Sequence, residues 1–232
     1  MYGVNHLRSG VSDQVPHEGE KFWPAGACVF ERGSGSGLWR VVSGVVRLDQ
    51  RGTDTTVLVS LAMPGDLIGY ETLLGGTHSF DASALVPAVL QAIAPKTQAE
   101  RNALMVEALL QQPQRSHDMA RIRTGPVVAR VATLLRLLGH LPPPDFLSGD
   151  DTVDADAVRN QLPTLRELAG VVDAKHETVC RVLAQLLPPR SRKGGPRRWT
   201  EKAQQAASQM LSDVGQVLNA PGLARSGMGV AP

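Results

Sequence analysis

The stretch LRELAGVVDAKHETVCRVLAQLL, residues 165–187, constrains the fold of this chain more than any other segment. Leu165, Leu168, Ala169 and Val172 recur at i, i+3, i+4 and i+7, which is one face of a helix. Val179, Val182, Leu183 and Leu186 repeat that spacing in a second helix. Pro163 precedes Thr164, whose hydroxyl can cap the first helix, and Glu167 three residues on completes a capping box. Asp173 stands at the stop, where glycine would be easiest; aspartate tolerates the left-handed backbone better than most residues. If the second stripe is buried, His176, Glu177, Cys180 and Arg181 share the opposite face. Arginine can pair bidentately with guanine, and glutamate can accept from the cytosine amine. From the pattern alone two readings stay open. The face reads DNA bases, or Glu177 and Arg181 form a surface i, i+4 pair contributing a few tenths of a kcal/mol.

The segment TLRELAGVVDAKHETVCRVLAQL resembles the helix-turn-helix of the cyclic-AMP receptor/fumarate-nitrate regulator (CRP/FNR) superfamily of transcription factors. The most specific part is ETVxRxL, present as Glu177, Thr178, Val179, Arg181 and Leu183. The resemblance implies that Glu177 and Arg181 read bases and that Thr178 contacts phosphate. His176 stands where a third reader, often arginine, is common, so it joins the base-reading set and the operator half-site cannot be carried over. Lys175 stands where a serine or threonine often caps the second helix. It leaves that terminus less satisfied and adds a cation near phosphate. Thr164 completes the phosphate contacts expected of the helix pair.

Charge distribution says more than the net +2. Asp145, Asp150, Asp151, Asp154 and Asp156 crowd the middle of the chain. Arg190, Arg192, Lys193, Arg197 and Arg198 follow the second helix without an acid among them. These five are the expected phosphate contacts of a basic loop; a merely solvated loop is the plainer alternative. Relatives usually continue here with a two-stranded wing, but PPRSRKGGPRRWT lacks alternating strands, so the wing is atypical. Cys28 and Cys180 are the only cysteines, too few for the four-cysteine iron–sulfur cluster of some relatives and not in metal-ligand spacing. Cys180 reads as a small filler rather than an oxidisable thiol. No apolar run could span a bilayer, and the N-terminus lacks a signal-peptide hydrophobic stretch, so a cytoplasmic protein is expected.

Upstream, residues 1–21 read as a flexible N-terminus and residues 22–97 as short strands punctuated by Gly33, Gly35, Gly37, Gly52 and Gly65. LWRVVSGVVRL breaks at Ser43-Gly44, and TTVLVSL alternates Val57, Val59 and Leu61 against Thr56, Leu58 and Ser60. Such a pattern suggests a small antiparallel barrel or roll. VVSGVVRL followed by PGDLIGYETLL is similar to the cyclic-nucleotide-binding-like β-roll of the same superfamily, with Gly44, Gly65, Asp66 and Gly69 at its turns. The ligand chemistry departs from the resemblance. Cyclic-AMP binders carry a glutamate directly after the position of Gly69 and an Arg-Ser pair some ten residues later. Here Tyr70 follows, Glu71 comes one place late, and Phe80-Asp81 replaces Arg-Ser. A buried phosphate without a strong donor is costly, and Asp81 would repel it. Gly69, Tyr70, Glu71, Phe80 and Asp81 therefore mark an effector pocket that is not expected to take cyclic AMP, with the effector left unknown. His78 reads as a satisfied surface group.

Residues 98–124 turn helical, with a weak stripe of Leu104, Leu109, Met119 and Ile122, and Pro113 is expected to kink or restart the helix. The resemblance makes this the connecting and dimerisation helix. Gly125-Pro126 reads as a hinge into a helix burying Val127, Val131, Leu134, Leu135 and Leu138, with Arg130 and Arg136 off the stripe. Pro142-Pro143-Pro144 and the acidic run form a stiff connection. Residues 200–218 read as an added helix with Ala203, Ala207, Met210, Leu211 and Val214 as its stripe, and 219–232 as a disordered tail. The chain thus reads as α+β: an N-terminal cyclic-nucleotide-binding-like antiparallel β-roll, a dimerisation helix, and a helix-turn-helix domain over 125–218. The expected function is a homodimeric, sequence-specific DNA-binding transcription regulator, not an enzyme. Its partners would be double-stranded DNA, a second copy of itself and RNA polymerase, with no membrane, metal or cofactor. One alternative keeps the fold but makes DNA binding constitutive or controlled by a partner protein. A remote alternative is a cupin-like enzyme, which needs converging metal ligands, whereas His6, His17, His78, His117, His140 and His176 are scattered.

Overall fold

Left-handed glycines cut the N-terminal β-branched runs into short strands, and one of them admits no other residue. Gly44 turns between two strands at φ 78°, where a Cβ would overlap the Pro87 carbonyl oxygen. The computed structural model describes residues 19–140 and 159–187. The expectations for residues 1–18, for the connection 141–158 and for everything after Leu187, including Arg190, Arg192, Lys193, Arg197 and Arg198, lie outside the described residues.

The strands are β1 (Glu20–Trp23), β2 (Cys28–Phe30), β3 (Leu38–Ser43), β4 (Val46–Arg51), β5 (Thr56–Ala62), β6 (Leu67–Ile68), β7 (Asp81–Ala84) and β8 (Ala88–Ile93). They form two antiparallel four-stranded sheets, ordered β1-β8-β3-β6 and β2-β7-β4-β5. Trp23, Phe30, Val41, Val46, Ala62, Ile68 and Leu90 form a buried cluster drawn from both sheets, the core of a β-roll. The alternation expected of β5 is corrected. Leu48 pairs with Ser60 but Asp49 pairs with Leu58, so Val59 is an extra residue in the ladder. The bulge shifts the phase of the strand. Leu58 and Leu61 are buried, whereas Val57 and Val59 are exposed.

A 3-10 turn (Tyr70–Leu74) and helix α1 (Gln98–Arg123) close one side of the roll. The Thr97 hydroxyl caps α1 by accepting from the Glu100 N–H. The helix runs without a break through Pro113, against the expected kink or restart. An interior proline costs about 3 kcal/mol of helix stability, and side chains on both sides of it tie α1 to the roll. Gln111 donates to the Leu67 carbonyl at 2.7 Å and accepts from the Leu67 N–H at 2.9 Å. Arg40 pairs with Glu107, and Arg115 lies 3.0 Å from Asp66. The expected stripe is corrected as well: Ile122 is fully buried in the core, and Leu109 is exposed.

Gly125, with φ 82°, leads into α2 (Val127–Leu137), and two shorter helices follow, α3 (Leu165–Val171) and α4 (His176–Leu186). Val131, Leu134 and Leu135 are buried and Val127 and Leu138 partly so, as the pattern predicts. Arg130 and Arg136 are drawn inward rather than left off the stripe. One continuous apolar cluster joins Val45, Leu58, Leu61, Met63 and Leu85 of the roll to Ile122, α2, α3 and α4. Among the described residues no helix is long and apolar enough to cross a membrane.

Candidate nucleic-acid interface

The α3–α4 pair is built as its sequence predicts. Thr164 accepts from the Glu167 N–H at 3.3 Å, and the Glu167 carboxylate accepts from the Thr164 N–H at 2.8 Å, a complete capping box. The Thr164 hydroxyl also donates to that carboxylate at 2.7 Å, so a phosphate contact would have to displace this bond. After Val171 the chain turns at Asp173, whose φ of 51° is the one left-handed non-glycine backbone among the described residues. Like any helix end, α3 leaves its last carbonyls without intrahelical partners; the Ala174 N–H takes that of Ala169 at 3.0 Å, and two arginines take others. Arg123 donates to the Val171 carbonyl at 2.9 Å and reaches the Leu58 carbonyl of β5 at 3.4 Å. Arg130 donates to the carbonyls of Val172 at 2.7 Å and Asp173 at 2.9 Å. These two arginines fasten the turn between the helices, a contact that pattern reading missed. Nothing in the sequence singled them out, because their partners lie more than forty residues away.

Helix α4 buries Val179, Val182, Leu183 and Leu186. His176, Glu177, Cys180 and Arg181 are exposed on the other side, with Lys175 exposed just before them and Thr178 half-buried. Lys175 supplies no side-chain cap, so the first N–H groups of α4 remain free to meet an acceptor. The ion pairs of the described residues do not include one between Glu177 and Arg181. Among the described residues, both charges, one helical turn apart, are free of ion pairs.

The five candidate pocket residues divide. Tyr70 and Phe80 line a cavity of about 220 Å³ between β4, β5, β6 and α1, together with Leu48, Val59, Gln112 and Arg115. Gly69, Glu71 and Asp81 face elsewhere. Glu71 accepts from the Ser79 N–H at 3.2 Å. Asp81 accepts from the Arg32 N–H at 2.9 Å and pairs with Arg51 at 3.4 Å, beside a second hollow that includes Cys28 and Glu31. Over Gly69 lies His78, and a Cβ there would come 2.6 Å from the imidazole Cε1. The surface position expected for His78 is corrected: the ring is only 2% exposed, stacked 3.8 Å from Phe30, with Nε2 3.2 Å from the Ser36 hydroxyl. Its Nδ1 has no hydrogen-bond partner among the described residues. Burial holds its pKa below the ordinary histidine value of 6.5 and so keeps the ring neutral at pH 7, while Glu71 pulls part of the way back.

Comparison with known proteins supports the fold. Residues 20–99 match the cyclic nucleotide-binding domain family. Over 153 residues, 64% of this chain, the sequence is 29% identical to the transcriptional regulator LdrP of Thermus thermophilus, covering 74% of that protein. A solved CRP-family transcriptional regulator from Thermus thermophilus superposes with a TM-score of 0.54 at 27% identity, covering 72% of this chain and 83% of the other. A CRP/FNR-family regulator from the same organism superposes at 0.51 with 21% identity, covering 81% of this chain and 97% of that one, a likeness of fold.

Proposed function

We propose, from the premise that this chain is a CRP/FNR-family protein carrying a cyclic nucleotide-binding domain over residues 20–99, that it is a transcription regulator that binds a two-fold DNA operator as a homodimer. The observation that carries the reading is the outer face of α4, where Glu177 and Arg181 are exposed and not paired with each other while the inner face is buried. Residues 22–97 would sense, 98–124 connect and dimerise, and 125–218 read DNA.

With α4 in the major groove, Arg181 pairs with guanine, Glu177 accepts from the cytosine amine, and His176 contacts the neighbouring base pair. Lys175, Thr178, Thr164 and the basic loop of Arg190, Arg192, Lys193, Arg197 and Arg198 hold phosphates without sequence preference. A second copy is supported by α1. Val106, Leu109 and Leu110, at i, i+3 and i+4, are 55%, 67% and 75% exposed, an unusual apolar stripe on a helix that otherwise packs on the roll. Two-fold proteins read two-fold operators, with reading helices one duplex turn apart. RNA polymerase is the partner such a regulator would engage, and no catalytic role is assigned.

Cyclic AMP does not fit as its controlling ligand. Phe80 occupies the cavity wall, Asp81 is bound to Arg51 and the Arg32 N–H, and His78 covers Gly69. That same covering of Gly69 favours a second reading, in which operator binding is constitutive or governed by a partner protein.

The test begins with selection of an operator from genomic DNA by the purified protein. Fluorescence anisotropy then compares that operator with a scrambled duplex. Arg181→Ala is expected to lose about 1–3 kcal/mol of discrimination at one base pair; unchanged discrimination would sink the base-reading assignment. Added cyclic AMP is expected to leave the wild-type affinity as it was.

A further inference from the structure

We infer that the cavity between the roll and α1 is a binding site for a small uncharged, largely apolar molecule with a single hydrogen-bonding end, rather than for a cyclic nucleotide. The inference rests on reading the roll as the effector domain, and it is independent of how α4 meets DNA.

Five features carry it. The wall is mainly hydrocarbon: Leu48, Val59, Leu61 and Phe80 contribute from the roll, with the β5 bulge placing Val59 at the edge. The one cation in the wall, Arg115, is already ion-paired with two acids. Its Nη1 donates to Asp118 at 2.8 Å and its Nε lies 3.0 Å from Asp66, with all three side chains less than a fifth exposed. Two carboxylates face one guanidinium, so an incoming anion would meet surplus negative charge and would strand a buried acid if it took the arginine away. Gln111 is likewise committed, through both ends of its amide, to the backbone of Leu67.

Tyr70 and Gln112 supply a neutral hydrogen-bonding pair in the lining. Gln112 Nε2 donates to the Tyr70 oxygen at 2.9 Å, which leaves the Tyr70 O–H to donate and the Gln112 carbonyl to accept, side by side. Burial, and then Glu71, push the Tyr70 phenol above its ordinary value, so it keeps its proton across the physiological range. A ligand with one hydroxyl or ring N–H on an otherwise apolar body matches that pair. The volume, about 220 Å³, lies below the roughly 300–1,000 Å³ of sites that hold drug-sized molecules, which points to a one- or two-ring compound.

The test uses the full chain and the uncharged two-ring fluorophore 1-naphthylamine. Saturable binding at one per chain is expected, displaced by 2-naphthol and indifferent to cyclic AMP. Val59→Trp should fill the site and weaken the probe at least tenfold. Val57→Trp, on the same strand but away from the cavity, should not change binding. Tyr70→Phe should weaken 2-naphthol about three- to tenfold, the worth of one hydrogen bond, while leaving naphthalene unaffected. Matching circular dichroism spectra and melts establish that the variants are folded. The inference is overturned if binding is unsaturable, if cyclic AMP displaces the probe, if Val57→Trp acts like Val59→Trp, or if Leu109→Asp removes binding by way of the exposed α1 stripe. An Arg181→Ala protein that fails on DNA yet binds the probe normally would separate this site from the base-reading assignment.

Discussion

Asp173 and His78 show how differently single residues disclose their roles. The left-handed backbone at Asp173 was readable, because an aspartate after an amphipathic stripe has few other uses. The burial of His78 was not, because it depends on Gly69, nine residues earlier, lacking the Cβ that would clash with the ring. A buried neutral histidine links folding to pH with a definite sign. The unfolded chain takes up a proton near pH 6.5 that the folded protein resists, so this contribution to stability is present above pH 6.5 and is lost as pH falls toward the depressed folded value. His140, also lowered by burial, adds in the same direction. Chemical denaturation of wild type across pH 7.5 to 5 should show declining stability below pH 6.5 (roughly the value in short peptides), with a shallower decline in His78→Gln. An equal decline in both would remove His78 from the account.

At the scale of elements, periodicity located the helices and missed the details that tertiary contacts decide. The capping box at α3 was legible because its two partners lie three residues apart. Thr164→Ala should therefore cost about 1 kcal/mol in a thermal melt, and Glu167→Gln, which keeps an acceptor, should cost less. The phase of β5 was illegible, since a one-residue bulge opposite Leu48 and Asp49 reverses which side chains turn inward. The continuity of α1 through Pro113 was illegible for a related reason. Its anchors, Gln111 on Leu67 and Arg115 on Asp66, join positions more than forty residues apart. The outward charges of α4 were the easiest to foresee, because burying one helical stripe fixes what the opposite face must present.

At the scale of the whole molecule, the exposed stripe of α1 and the shared core make separate predictions. Leu109→Asp combined with Leu110→Asp should give a monomer in analytical ultracentrifugation, with the melt unchanged and operator affinity lost; a persisting dimer would place the seam elsewhere. The shared core joins Leu58 and Leu61 of β5 to Leu135 of α2 and Val179 of α4. Leu135→Ala should destabilise the protein by about 2–5 kcal/mol. In a Trp199→Phe background, tryptophan fluorescence, reporting the roll through Trp23 and Trp39, should then fall in step with helical ellipticity. Two resolved transitions would contradict a common core.

Arg123 carries that coupling one bond further, because its guanidinium holds one carbonyl of β5 and one of α3 at once. A strand and a helix fastened to the same rigid fork share a lever arm. A shift of β5 would therefore strain these two bonds, and through them the end of α3.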